Sequence, residues 1–192
     1  MRFYICLLAI TTLLFVYSCS TSGNEKYNKL VQTELAKATR TDSLFLGLTF
    51  GMTSKAFFGY CWELNKKGII SDGANNSMVL YKLDSALKFP ATMDFYPDFT
   101  ENKISNMRVS FQYNAWAIWN KAQSADSLLP AVLGLLEKWH PKGNGFIAIT
   151  DKDKGTIYVK VDGNRRITVG KFDDMVVKAE YTDLLIEDKL KR

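Results

Sequence analysis

One histidine, His140, in 192 residues excludes any metal centre built on several imidazoles. Cysteine is almost as scarce. Of the three cysteines, Cys6 lies in an apolar N-terminal run and Cys19 just beyond it. Cys61 is then the one thiol in the body of the chain, and no intramolecular disulfide is expected there. Basic tracts are missing as well. The 25 Lys and Arg, less Arg2 in the N-terminal run, leave 24 against 20 Asp and Glu, a mild net charge of +4. Nucleic acid is therefore not an expected partner. No P-loop, His-Glu-x-x-His, Gly-x-Ser-x-Gly or paired Cys-x-x-Cys pattern occurs. Gly143-Asn144-Gly145-Phe146-Ile147-Ala148 spells a dinucleotide fingerprint, but it follows a predicted helix and opens a β-rich stretch, the reverse of the context that motif needs. Asp151 and Asp153 are interleaved with Lys152 and Lys154 and read as a solvated turn, since calcium needs six or more clustered oxygens. No cofactor and no metal is expected.

The N-terminus does carry a signal. After Met1 and Arg2 the chain is apolar from Phe3 to Val16 apart from Thr11 and Thr12, then turns polar. A spanning helix needs about 20 apolar residues, so a cleaved signal peptide is the better reading. Val16-Tyr17-Ser18-Cys19 resembles the bacterial lipobox, with an aliphatic residue three places before the cysteine and a small one directly before it. The resemblance implies that residues 1–18 are removed, that the Cys19 thiol takes a diacylglycerol, and that the new amine takes a further chain such as palmitate. The membrane is then a partner through the lipid anchor. Ser20 stands where an aspartate would resemble an inner-membrane retention signal, which points to the outer membrane. An uncleaved anchor and a plain secretory signal cut elsewhere are the alternatives.

Residues 19–26 read as a tether and 27–192 as the folded body. Tyr27, Leu30, Val31, Leu35 and Ala38 recur at helical spacing. Leu44, Leu46, Leu48 and Phe50 alternate as in a strand. Thr53 or Ser54 caps a second helix, with Phe57, Phe58, Cys61, Trp62 and Leu64 on its apolar side and Gly68 at its end. Strands are expected over 78–83, 92–96 and 103–113, the last two joined through Pro97 to Asn102. A helix is expected over 115–124 and another from Ser127 to Trp139, with Pro130 in its first turn. Short strands fill the rest. Helices collected before strands imply an α+β fold, with helices packed on an antiparallel sheet, two helix-plus-meander halves (about 44–114 and 124–185) and a C-terminal four-stranded antiparallel meander. Leu46-Gly47-Leu48-Thr49-Phe50-Gly51-Met52-Thr53 before a helix and a hairpin also resembles the start of the small outer-membrane lipoproteins of the BamE/SmpA type, where Gly-Met-Thr leads into a helix. From that family only the helix entry at Gly51, Met52 and Thr53 carries over.

In the C-terminal stretch Ile147, Ile149, Ile157, Val159, Val161, Ile167, Val169, Val177 and Ala179 are all odd-numbered, which predicts one face apolar throughout. A three-residue loop, Asp162-Gly163-Asn164 with Asn164 left-handed, would pair Val159 with Ile167. It would also put Lys160 opposite Arg166, and Arg166 opposite Glu180, on a polar face shared with Lys178. That basic face reads either as solvated or as a docking surface. Tyr113, Trp116 and Trp119 read either as the core of the junction between halves or as a stacking platform for sugar rings or a partner. The expected function is a noncatalytic envelope lipoprotein, a binding module whose partner is an envelope protein or a glycan. The alternative is an envelope hydrolase using Asp94 or Asp98, which flank Tyr96.

Overall fold

The structure, a computed structural model, describes residues 23–73, 77–151 and 155–190. The expected signal peptide and Cys19 lie outside the described residues. In chain order the elements are helix α1 (Gly23–Ala36), helix α2 (Ser54–Lys66), and strands β1 (Ile70–Asp72), β2 (Val79–Lys82), β3 (Ala91–Thr100) and β4 (Lys103–Tyr113). A 3-10 turn (Lys121–Gln123) leads to helix α3 (Ala125–Trp139), strands β5 (Ile147–Asp151), β6 (Gly155–Asp162), β7 (Arg165–Lys171) and β8 (Val176–Asp183), and helix α4 (Leu184–Leu190). All eight strands form one antiparallel sheet in the order β1-β2-β3-β4-β8-β7-β6-β5. The fold is α+β, and its C-terminal strands are an antiparallel meander. The path from α2 to β4 and the path from α3 to β8 are each a helix followed by a four-strand meander, and their last strands pair from Asn106↔Thr182 to Gln112↔Val176.

Local chemistry explains most boundaries. Thr53 is the N-cap of α2 and its hydroxyl accepts from the Ala56 N–H at 3.3 Å, so Gly51-Met52-Thr53 does lead into a helix. Gly68, at φ +67, ends the same helix. The β3–β4 turn is Glu101-Asn102 with φ 49° and 62°, the paired positive values of a type I′ hairpin. Strand β3 therefore runs through Pro97 rather than stopping before it. Pairing with β2 ends at Phe95, so Pro97 sits where β3 has a neighbour on one side only and a missing N–H costs nothing.

Two expected elements are absent. Residues 44–50 are not a strand: Leu46 and Gly47 take φ 52° and 80° and fold the segment into a tight loop. Leu44 N–H donates to Leu48 O and Leu48 N–H to Phe45 O. Leu44, Phe45, Leu48 and Phe50 are all buried, so the alternation was accidental. The stretch 115–124 holds only the 3-10 turn, because Trp116 Nε1 donates to Asp174 O at 3.0 Å and draws the segment across to the β7–β8 turn.

One face of the sheet carries Met93, Phe95, Met107, Phe111, Ile167 and Tyr181 into a core shared with Leu128, Val132 and Leu136 of α3 and Phe57, Cys61 and Leu64 of α2. Only part of the apolar side expected for α2 is used, since Phe58 and Trp62 stay 51% and 61% exposed. Burial pushes the Cys61 thiol up to about 11. An alkylating reagent at pH 8 should therefore modify the Cys61 peptide slowly in the folded protein and at the rate of a free thiol in denaturant. Equal rates would place α2 the wrong way round.

Candidate functional site

The second face of the sheet is divided by the turn between β6 and β7. That turn has two residues, not three: Asp162 pairs with Arg165, Val161 with Arg166, Lys160 with Ile167 and Val159 with Thr168. Gly163 supplies the positive φ, 59°, and Asn164 does not. The expected register is therefore wrong. Val159 and Ile167 lie on opposite faces, and the apolar residues do not share one side. Further on, Val169 pairs with Ala179, and Thr168, not Arg166, lies opposite Glu180.

The shift sends Ile147, Ile149, Ile157, Val159 and Val161 to the second face, where α1 covers them with Tyr27, Leu30, Val31 and Leu35. Beyond α1 that face is open across β7, β8 and β4. It forms a groove of about 830 Å³ with Ile157, Thr168, Gly170, Lys178, Glu180 and Arg108 among its lining residues. Such a volume falls in the roughly 300–1,000 Å³ range of small-molecule sites.

The expected basic face is only partly there. Lys178 is exposed in the groove, its ammonium 3.1 Å from the centre of the Phe172 ring. Arg166 also lines the groove, but its guanidinium is committed to structure. It donates to both carboxylate oxygens of Glu187 at 3.1 Å, to the Tyr27 hydroxyl at 3.0 Å and to Thr182 Oγ1 at 3.2 Å, binding α1, β7, β8 and α4 together. Those bonds hold the guanidinium above its usual range against the cost of burial. Lys160 is not on this face at all. It lies on the first face, 1% exposed, with Nζ donating to Glu137 Oε2 of α3 at 2.8 Å.

The expected aromatic platform also comes apart. Tyr113 is 2% exposed and packs edge-on against Phe89, with burial pushing its phenol up. Trp116 is half-buried, and Trp119 is 86% exposed. The junction-core reading holds for Tyr113 alone. Arg108, Thr168, Gly170 and Phe172 escaped the sequence reading. The available signal was Gly163-Asn164, a dipeptide typical of two-residue hairpins, which would have set the correct register.

Asp98 accepts from Arg108 Nη2 at 2.9 Å and from Asn106 Nδ2 at 3.1 Å, and the same Asn106 nitrogen donates to Glu180 Oε1 at 2.7 Å. Asp94 Oδ1 is buried without a hydrogen-bond partner, and burial raises its carboxyl above the ordinary range. Neither aspartate is among the residues lining the groove. Among the described residues no cluster of His, Cys, Asp and Glu is placed to hold a metal ion, and no helix is long and apolar enough to cross a membrane. Comparison with protein-family models, curated proteins and solved structures finds no match for this chain.

A buried polar cluster gathers around the β6–β7 turn. His140, at the end of α3, is 4% exposed and its Nε2 lies 3.1 Å from the Tyr181 hydroxyl. Burial, then the Arg165 and Lys160 charges, bring its pKa down to about 3. Glu34 of α1 is 2% exposed. Burial alone would raise its carboxyl, but Lys37, the Gly163 N–H and Asn144 hold it below its ordinary value. In the unfolded chain His140 takes a proton near its ordinary pKa of about 6.5, whereas in the folded chain it stays neutral to about 3. Stability should therefore fall as pH drops below 6.5, by about 1.4 kcal/mol per unit from this group, and Glu34 adds to the loss at the acid end. Urea unfolding at pH 7, 6 and 5 should show this slope, and His140→Gln should flatten it. An unchanged slope in the variant would mean that His140 is not buried neutral.

Proposed function

We propose that the chain is a noncatalytic lipoprotein of the bacterial cell envelope, held at a membrane by lipid on Cys19 and binding its partner on the open face of the sheet. The observation that carries the binding half of this reading is the groove. A sheet with one face closed by α2 and α3, and the other only part-covered by α1, presents a concave surface of ligand size beside exposed Lys178 and Arg108. An exposed concavity of this kind is where ligands bind in most folds.

The anchor half rests on Val16-Tyr17-Ser18-Cys19 and the apolar run before it. Cys19 precedes Gly23, the first residue of α1, by four positions, so at most about 14 Å of extended chain separates the lipid from the folded body. The body would thus sit close to the membrane surface, with α1 nearest to it. Ser20 favours the outer membrane over the inner.

Fractionation of cells carrying Cys19→Ala tests the anchor. The wild-type protein should appear in the detergent-extracted membrane fraction, and the variant as unprocessed precursor or soluble protein. Cleaved Cys19→Ala protein that stays on the membrane would contradict lipid attachment.

A further inference from the structure

We infer that the groove is a site for an anionic single-chain amphiphile, specifically a long-chain fatty carboxylate. The inference rests on the reading above that the open sheet face binds a ligand, and it names the ligand's class. One row of opposed residues runs from the strip that α1 partly covers out across the open face: Ile149, Ile157, Gly170, Lys178, Ser110. The next row reads Ile147, Val159, Thr168, Glu180, Arg108. Opposed residues share a face, so the surface changes in order from branched apolar (β5, β6) through small (β7) to charged on β8 and polar or charged on β4 (Ser110, Arg108). This is the pattern of an amphiphile, an apolar chain at one end and a charge at the other.

The glycine at the middle of the row is the second observation. Gly170 lies within β7 without the positive φ that would demand glycine, and a Cβ there would stand 3.1 Å from Ile157 Cγ2. Glycine inside a strand marks a place where something approaches the backbone closely. Here it lowers the floor between the apolar and the charged ends.

The sign of the head group follows from Lys178. Its ammonium lies over the exposed Phe172 ring and forms no ion pair among the described residues, so its donors face the groove and solvent. Arg108 is paired with Asp98, but both side chains are about half exposed, and a solvent-exposed pair of that kind contributes little and is readily exchanged. Glu180, the one carboxylate in the lining, accepts from Asn106 Nδ2 at 2.7 Å and is engaged away from Lys178. A carboxylate entering beside Lys178 would meet a cation without having to displace a buried partner.

The test uses the full-length lipidated protein in nanodiscs of uncharged phospholipid and a diazirine-bearing fatty acid as photolabel. Labelled peptides should map to the strands that line the groove, β4, β5, β6, β7 and β8. Dodecanoate should compete at concentrations at least about tenfold below those needed of dodecanol or dodecyltrimethylammonium, the difference expected of one charge-assisted contact. Lys178→Glu, an exposed change that should leave folding intact, and Gly170→Val, which raises the floor, should each weaken labelling by about tenfold. Labelling outside these strands, equal competition by the three head groups, or labelling unchanged in Lys178→Glu would overturn the proposal. Fractionation of Cys19→Ala reads the anchor and not the groove, so either half can fail alone.

Discussion

The turn at Gly163-Asn164 decides which residues meet on each face of the sheet, and most of the architecture depends on it. Gly163 is glycine for two reasons, its positive φ and the backbone oxygen of Thr39, into which a Cβ would run. Its N–H donates to Glu34 Oε2 at 3.2 Å, Asn164 Oδ1 accepts from Thr41 N–H at 2.6 Å, and Asn164 O accepts from Leu184 N–H at 2.8 Å. The turn is thus held by α1, by the segment that follows α1, and by the start of α4. With two residues in the turn, odd positions of β6 share a face with even positions of β7. The apolar residues of the C-terminal meander therefore divide between two cores, one under α3 and one under α1.

The buried charges gather around the same turn. Lys160 reaches Glu137, Arg165 reaches Asp162 and Ser43, and Asp183 receives Arg40 at 2.9 Å. Lys160, Arg165 and Asp183 are desolvated, while Glu137 and Arg40 stay part-exposed, so removing one of those partners would leave a buried charge stranded at a cost of about 3–5 kcal/mol. Their effect is on specificity. They join α3 and the segment after α1 to one end of β6, β7 and β8, and a slipped register would leave several of them unpaired.

Period and capping made α1, α2 and α3 legible in the sequence, but not α4, and the helical spacing over 115–124 misled. The stripe of Leu128, Val132, Leu135 and Leu136 in α3 and the Thr53 cap of α2 are local features that tertiary structure did not override. So were the strands of the C-terminal meander and the α+β class. The alternation of side chains within β6 was also correct, but its phase relative to β7 was not, because phase depends on one residue more or less in a turn. That error moved Lys160 from an imagined surface to the core. The alternation at 44–50 misled for a related reason: with Leu46 and Gly47 at positive φ the segment turns back on itself, and a period of two carries face information only in extended chain. The groove could not be read at all without the register, since Arg108 of β4 and Gly170 and Phe172 at the end of β7 come from places some 60 residues apart in the chain.

The proposed function depends on the same geometry. A three-residue turn would bring Lys160 beside Arg166 and leave no apolar strip for α1 to cover, and with it neither the wall nor the graded floor of the groove. Paired cysteines test this most directly, because directly opposed residues on one face have the spacing a disulfide accepts and residues on opposite faces do not. Under mild oxidation the pair Val159→Cys with Thr168→Cys should form an intramolecular disulfide, visible as a mobility shift reversed by reductant, and the pair Val159→Cys with Ile167→Cys should not. A disulfide in the second pair and none in the first would contradict the register and the groove built on it.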